Sequence, residues 1–335
     1  TPPVGYQKLA ARGASDSHLS VPLVKRSVLT ARIDAVGTNT LTLSAEDLVD
    51  GIISPGASGS YYVQFVTGDL AGLCLPIFGN TSGILSLESE EDLTSHPLGA
   101  IATGHSGDLV RIRPYWNVGD LFGREPASLK LDSVASLPTG PYVGGDAVLL
   151  PDNISTGTEK KPAATLYYVF GDGWRQTTNA SVDAASEPLP PGQPFIVRRQ
   201  AVESAALLVV GDVPLEPFRM RIPSLGTGEE IDIAVALAQP FPATLAASGL
   251  FSTVEGEGIV NVSTALLESG DLLLEYSSAR PGLALPPEHR YHVFGTEWFE
   301  VTTPADDHVL NLGEGYVVRL RGERDARYWL QPPTN

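Results

Sequence analysis

Cysteine is nearly absent from this chain of 335 residues. Cys74 stands alone in the apolar run LAGLCLPIF, so no internal disulfide can form. A single thiol in apolar company reads as a small buried hydrophobe, and no His and Asn pattern nearby marks it as a nucleophile. Basic residues are also scarce. There are 22 Lys and Arg against 39 Asp and Glu, a formal charge of −17, and no basic run exceeds two residues. A protein that displaces counterions from phosphates needs the opposite balance, so nucleic acid is not an expected partner, nor is an anionic membrane surface. No apolar run reaches the roughly 18 residues that a membrane helix requires. Charged residues make up 18% of the chain, below the usual level of about 25%.

Glycine (34) and proline (27) are plentiful and spread along the chain, which suits short strands and tight turns. LTLSA, YYVQFV, GLCLPIF, GILSLES and DLVRIRP are short β-branched or aromatic runs separated by Gly, Asp, Asn and Ser. They predict an all-β fold with a few short helical turns, one of them in EEDLTSH. The first third, residues 1–113, reads as a barrel-like or sandwich-like β domain led by an extended N-terminal segment.

From Pro114 a second pattern begins and is then repeated. PYWNVGDLFG matches QPFPATLAASGLFS, GGDAVLL matches SGDLLLEY, YVFGDGW matches HVFGTEW, and GQPFIVRR matches GEGYVVRLR. Several landmarks recurring in one order indicate an internal duplication. The expected modules are residues 114–223 and 224–335.

Val-Phe-Gly-x-x-Trp reads as a β-hairpin with Gly at the turn. Its apolar residues persist between copies, whereas its turn residues change from Asp-Gly to Thr-Glu. That favours a hairpin core over a catalytic loop. Tyr168, Phe170, Trp174, Phe294, Trp298 and Tyr316 are therefore either hairpin core or, in the alternative reading, aromatic platforms for sugar rings. The Gly-Asp pairs at 68, 107, 119, 145 and 270 read as Asx-turns. No Asp-rich calcium loop exists, and the six His residues show no ligand pattern. His289 and His292 enter a strand on opposite faces. Thr103-Gly104-His105-Ser106-Gly107 lacks nucleophile-elbow spacing, Glu255 and Glu257 pair with no second acid, and phosphate-binding glycine loops are missing. Asn-x-Ser/Thr sequons occur at Asn80, Asn153, Asn179 and Asn261. No catalytic, cofactor or metal residues are expected.

VGYQKLAA, YYVQFVTGDLAG, VRIRPYWNVGDLFG, GGDAVLL, YYVFGDGWRQ and the stretch from SGLFS to YHVFGTEWFEV together resemble a paralogous family of secreted, uncharacterised proteins of Verrucomicrobia and related bacteria. The resemblance spans nearly the whole chain. It implies export and a structural or surface setting, and carries over no activity and no catalytic residues. The start at Thr1 is read as a mature N-terminus left by signal-peptide removal.

The expectation is an exported structural protein that self-assembles into an extracellular filament or surface layer. Residues 1–9 would add a strand to a neighbour's open sheet edge, anchored by Val4, Tyr6 and Leu9. A homo-oligomer or homopolymer is the expected partner. The alternative is a secreted carbohydrate-binding or adhesion protein that recognises surface glycans through Tyr168, Trp174, Trp298 and Tyr316.

Overall fold

The computed structural model describes residues 2–44, 53, 60–89, 92–99, 107–135, 144–254, 257–264, 270–276 and 281–331. Thr1, residues 103–106 and Glu255 lie outside the described residues. The fold is all-β, as the composition predicts.

Strands β1 (Val4–Ala11) and β2 (Asp16–Leu19) precede six strands that close into a barrel. These are β3 (Leu29–Gly37), β4 (Thr40–Leu43), β5 (Tyr61–Phe65), β6 (Cys74–Thr81), β7 (Ile84–Leu87) and β8 (Leu109–Pro114). The barrel order is β3-β4-β7-β6-β5-β8, and β8 returns to β3. Alternation along these strands sends Ile33, Leu41, Val63, Phe65, Leu85, Val110 and Ile112 inward, where they fill the barrel core.

The next strands are β9 (Trp116–Asn117), β10 (Ala147–Leu150), β11 (Ala164–Val169), β12 (Gly173–Gln176), β13 (Pro188–Leu189), β14 (Phe195–Arg198) and β15 (Ala205–Asp212). Helix α1 (Val118–Phe122) follows β9; the Asn117 side chain caps it by accepting the Asp120 N–H at 2.8 Å. The remaining strands are β16 (Phe218–Ile222), β17 (Glu230–Val235), β18 (Ala243–Thr244), β19 (Leu272–Glu275), β20 (His289–Phe294), β21 (Glu297–Glu300), β22 (Thr303–Pro304), β23 (Val309–Leu310), β24 (Tyr316–Arg321) and β25 (Arg327–Gln331).

The pairings give the duplication its architecture. One sheet runs β12-β11-β10-β14-β2, and the other β22-β21-β20-β19-β24-β17. Ribbon β1-β15 corresponds to β16-β25, and the short pair β9-β13 to β18-β23. Strands β1 and β2 thus pair with β15 and β14, not with the barrel that follows them in the chain. Their apolar residues Leu9, Ala11 and Leu19 join Phe122, Trp174, Phe195 and Val209 in one core. The barrel lies between the second strand of the first module and the rest of that module. Arg113 ties the junction. It is buried and donates to Gln64 Oε1 (3.0 Å), the Lys25 carbonyl (2.6 Å) and Asp212 Oδ2 (3.4 Å).

Two of the Gly-Asp pairs are not Asx-turns. Asp146 and Asp271 are buried and accept from arginines beyond the neighbouring strand: Arg199 Nη1 at 2.7 Å, and Arg324 Nη1 and Nη2 at 2.8 and 2.7 Å. Backbone N–H groups fill their other lone pairs, from Asp132 and Gln200 on Asp146 and from Asn261 and Arg321 on Asp271. Removing one partner would strand a buried charge. Asp271→Ala is expected to lower unfolding free energy by about 3–5 kcal/mol in urea titrations. A loss under about 1 kcal/mol, the range of exposed pairs, would contradict this account.

Candidate functional site

The two hairpins share a motif but not a register. In the first, Tyr168 faces Trp174, and residues 170–172 form a three-residue loop. In the second, Val293 faces Trp298 and Phe294 faces Glu297, so Gly295-Thr296 is a two-residue turn. Gly295 has φ 65° while Thr296 has negative φ, the pattern of a type II′ turn. A one-residue slip sends side chains to the opposite face of a sheet. Accordingly Tyr168 lies in the first core and Val169 on the far side with Tyr167 and Val134, whereas Val293 is core in the second module.

The aromatic candidates divide along these lines. Tyr168, Trp174, Trp298 and Tyr316 are all buried. Trp174 Nε1 donates to the Gly123 carbonyl at 2.7 Å, Tyr168 Oη donates to the Arg124 carbonyl at 3.2 Å, and Tyr316 Oη accepts the Asn311 N–H at 2.7 Å. These four rings lie in the cores, where the hairpin-core reading puts them, and present no face to a sugar, against the alternative reading as stacking platforms. Phe294 is half-buried edge-to-face against Phe299, and Phe170 is exposed.

The N-terminal candidates lie on the β1-β15 ribbon. Strand β1 pairs with β15 over eight residues, from Val4↔Asp212 to Ala11↔Ala205. The segment is therefore a fully paired strand of its own module and not a free arm. Leu9 is buried in the core beside Leu207 and Val209. The outward face is mostly apolar around Lys8: Val4 is 69% exposed, Tyr6 79%, Leu208 68% and Val210 54%. The corresponding ribbon of the second module differs. Its Arg219 N–H donates to the Gly72 carbonyl at 2.9 Å, Arg219 Nη1 to the Asp69 carbonyl at 2.6 Å, and Tyr328 packs on the barrel core. The barrel thus lies against this ribbon, and it meets the β1-β15 ribbon at the Arg113–Asp212 end.

A cleft of about 530 Å³ lies where the outer faces of the two large sheets meet. Leu149, Ile196, Leu272, Leu274 and Val317 contribute its apolar wall. The duplication is visible in its polar groups. Asp16 accepts Arg198 Nε and Nη2 at 2.8 and 2.6 Å, and Asp232 accepts Arg319 Nε and Nη2 at 2.8 and 2.9 Å. Each Asp also accepts a backbone N–H from the opposite module. Ala284 donates to Asp16 at 2.8 Å, and Glu159 donates to Asp232 at 2.7 Å. Ala284 and Glu159 both have φ 51°, a left-handed conformation that non-glycine residues adopt only under constraint. Two residues earlier in each loop, Gly282 and Gly157 accept the backbone N–H of the same Asp, at 3.0 and 3.1 Å. Each module therefore lays the loop after its first central strand on the edge strand of the other. Sequence reading missed these residues, although Gly157, Glu159 and Pro162 recur as Gly282, Ala284 and Pro287 at the same separation as Asp146 and Asp271.

Chemically, the clamps are closed. Both Asp side chains hold a bidentate guanidinium and a backbone donor, the arrangement of a fastening. A second polar group joins Tyr291, which donates to Glu275 Oε2 at 2.9 Å, to His308, whose Nε2 lies 2.9 Å from the same oxygen. Burial, followed by the Glu275 charge, pushes the Tyr291 hydroxyl well above its ordinary range, so it keeps its proton at neutral pH. His289 pairs with Glu300 at 2.6 Å, whereas His292 is buried on the other face of the strand. Among the described residues no cluster of three or more His, Cys, Asp or Glu is arranged to hold a metal. No described helix is long and apolar enough to cross a membrane. No family model, no curated protein and no solved structure matches the chain.

His18 lines the cleft and stacks on Tyr276 from the other module, with ring centroids 4.3 Å apart and planes 7° apart. Burial pulls its pKa from 6.5 down to about 4, and the Asp16 charge offsets part of that. Between those values the unfolded chain binds the proton more readily than the folded one. The His18 contribution is therefore complete above about pH 6.5 and is lost as pH falls toward about 4. Urea midpoints measured against pH should fall more steeply over this window for the wild type than for His18→Phe, which keeps a ring but cannot titrate. Parallel curves would contradict the assignment.

Proposed function

We propose that the chain is a subunit of a self-assembling extracellular filament or surface layer, and that it acts without catalysing a reaction. The observation that carries this reading is the apolar outward face of the β1-β15 ribbon. Val4, Tyr6, Leu208 and Val210 lie exposed together on a chain of charge −17. Contiguous exposed apolar surface on an otherwise charged protein marks a contact site, and a long edge strand is a template for pairing. The saturated clamps between the modules support the same reading, since a building block must keep its shape under load. The family resemblance adds export and a surface setting.

Assembly should show two signatures. Electron microscopy of the purified protein should reveal filaments or sheets, and light scattering should rise with salt, because screening weakens repulsion between acidic copies. Tyr6→Lys combined with Leu208→Glu should leave the fold intact and keep the protein monomeric. Wild-type protein that stays monodisperse at high salt would defeat the proposal.

A second reading, a secreted glycan-binding or adhesion protein, rests on the inter-module cleft now that the buried Trp residues are excluded. The volume is in the range of small-ligand sites, and the His18–Tyr276 stack offers a ring surface. A glycan array compared between wild type and His18→Ala tests it.

A further inference from the structure

We infer that β1 is exchanged between copies: in the assembled state it leaves its own β15 and completes the β15 ladder of a second copy of this chain. This inference rests on the assembly reading above and specifies its contact. Three observations carry it.

The first is the fit of the acceptor. Among the described residues β15 ladders with β1, over eight paired residues, and its last residue, Asp212, also bridges to Val24. The groove that β1 fills is lined by Leu19, Leu23, Leu207 and Val209, and it receives Leu9 and Ala11. Gly5 lies so close to Val213 and Leu23 that a Cβ there would sit 2.9 Å from the Val213 side chain. The groove is thus shaped to this sequence, and the occupant that reproduces every contact is the same strand from another copy.

The second is the hinge. Only residues 12–15 separate β1 from β2. Ala14 has φ 48°, the left-handed region that a residue with a Cβ avoids. Gly13 is pressed against the connection between β14 and β15, where a Cβ would meet the Val202 carbonyl oxygen at 1.8 Å. A short connection held in strain favours the straightened form in which the strand pairs with a neighbour. The hydrogen bonds of the ladder are the same in both forms, so the balance falls to the hinge, where straightening relieves Ala14 and gives up its N–H bond to the Ala201 carbonyl.

The third is the geometry of the remainder. Strand β2 is pinned by four pairs to β14 and by the Asp16 clamp. Release of β1 therefore stops at the hinge and leaves both modules joined. Exchange in one direction along a row of copies does not close on itself and so builds a chain.

Cross-linking distinguishes the states. Ala10 and Ala206 are an outward-facing cross-strand pair, within disulfide reach of each other. An Ala10→Cys, Ala206→Cys protein in a Cys74→Ala background is oxidised either as a monomer or after assembly. Oxidation after assembly should give a ladder of covalent multimers on a non-reducing gel. Oxidation beforehand should give an internally closed monomer whose assembly falls at least tenfold and recovers on reduction. Ala14→Gly relaxes the hinge and should reduce assembly roughly fivefold without unfolding the monomer. Assembled material that yields only internally closed monomer, or locked monomer that assembles at the wild-type rate, would overturn strand exchange and leave the assembly reading standing. Failure of the wild type to assemble at all would remove both.

Discussion

The molecule depends on one interaction made twice: a carboxylate held on one side by its own module's arginine and on the other by a backbone N–H of the opposite module. Asp16 with Arg198 and Ala284 is one instance, and Asp232 with Arg319 and Glu159 is the other. Because the relation is reciprocal, the two modules meet as the subunits of a two-fold dimer do, although they belong to one chain. Each loop meets its carboxylate through a left-handed, non-glycine residue, a conformation that the surrounding contacts must hold in place. The cleft, the His18–Tyr276 stack and the relative placement of the large sheets all follow from these clamps.

Much of this was legible in the sequence. Strand runs and turn residues marked β4 to β8 correctly, because alternation and glycine act locally. The ordered landmarks also announced the duplication. The assignment of β1 and β2 was not legible. Their partners lie beyond the barrel in the chain, and Asp16 meets Arg198 across 182 residues. No local pattern encodes such a pairing. A short extended segment at a chain terminus therefore reads as an arm. The Gly-Asp pairs misled for a related reason: an Asx-turn and a buried ion pair begin with the same dipeptide, and only the distant arginine separates them.

The Val-Phe-Gly-x-x-Trp motif shows how identity of sequence can hide a difference of structure. Both copies have the same spacing from Val to Trp, yet one extra residue in the first turn shifts the strand leading into it. What the two hairpins preserve is the buried tryptophan, and the residues before the turn exchange faces. Both motif tryptophans therefore belong to the cores, and Val4 and Tyr6, expected from the sequence as assembly anchors, lie exposed on β1 with Leu208 and Val210 on β15.

The position of the barrel affects how the chain reaches this state. Strands β3 and β8, where the chain enters and leaves the barrel, are hydrogen-bonded neighbours, with Leu29 opposite Ile112. Once the barrel closes, its two ends lie side by side and β2 is brought close to β9 despite the long excursion between them. Closing a shorter loop costs less conformational entropy, and non-local strand pairing is slow in proportion to the loop that must close first. The inserted domain thus acts as a hydrogen-bonded shortcut: with Leu29 held against Ile112, the loop that must close to pair β2 with β14 falls to roughly half its length.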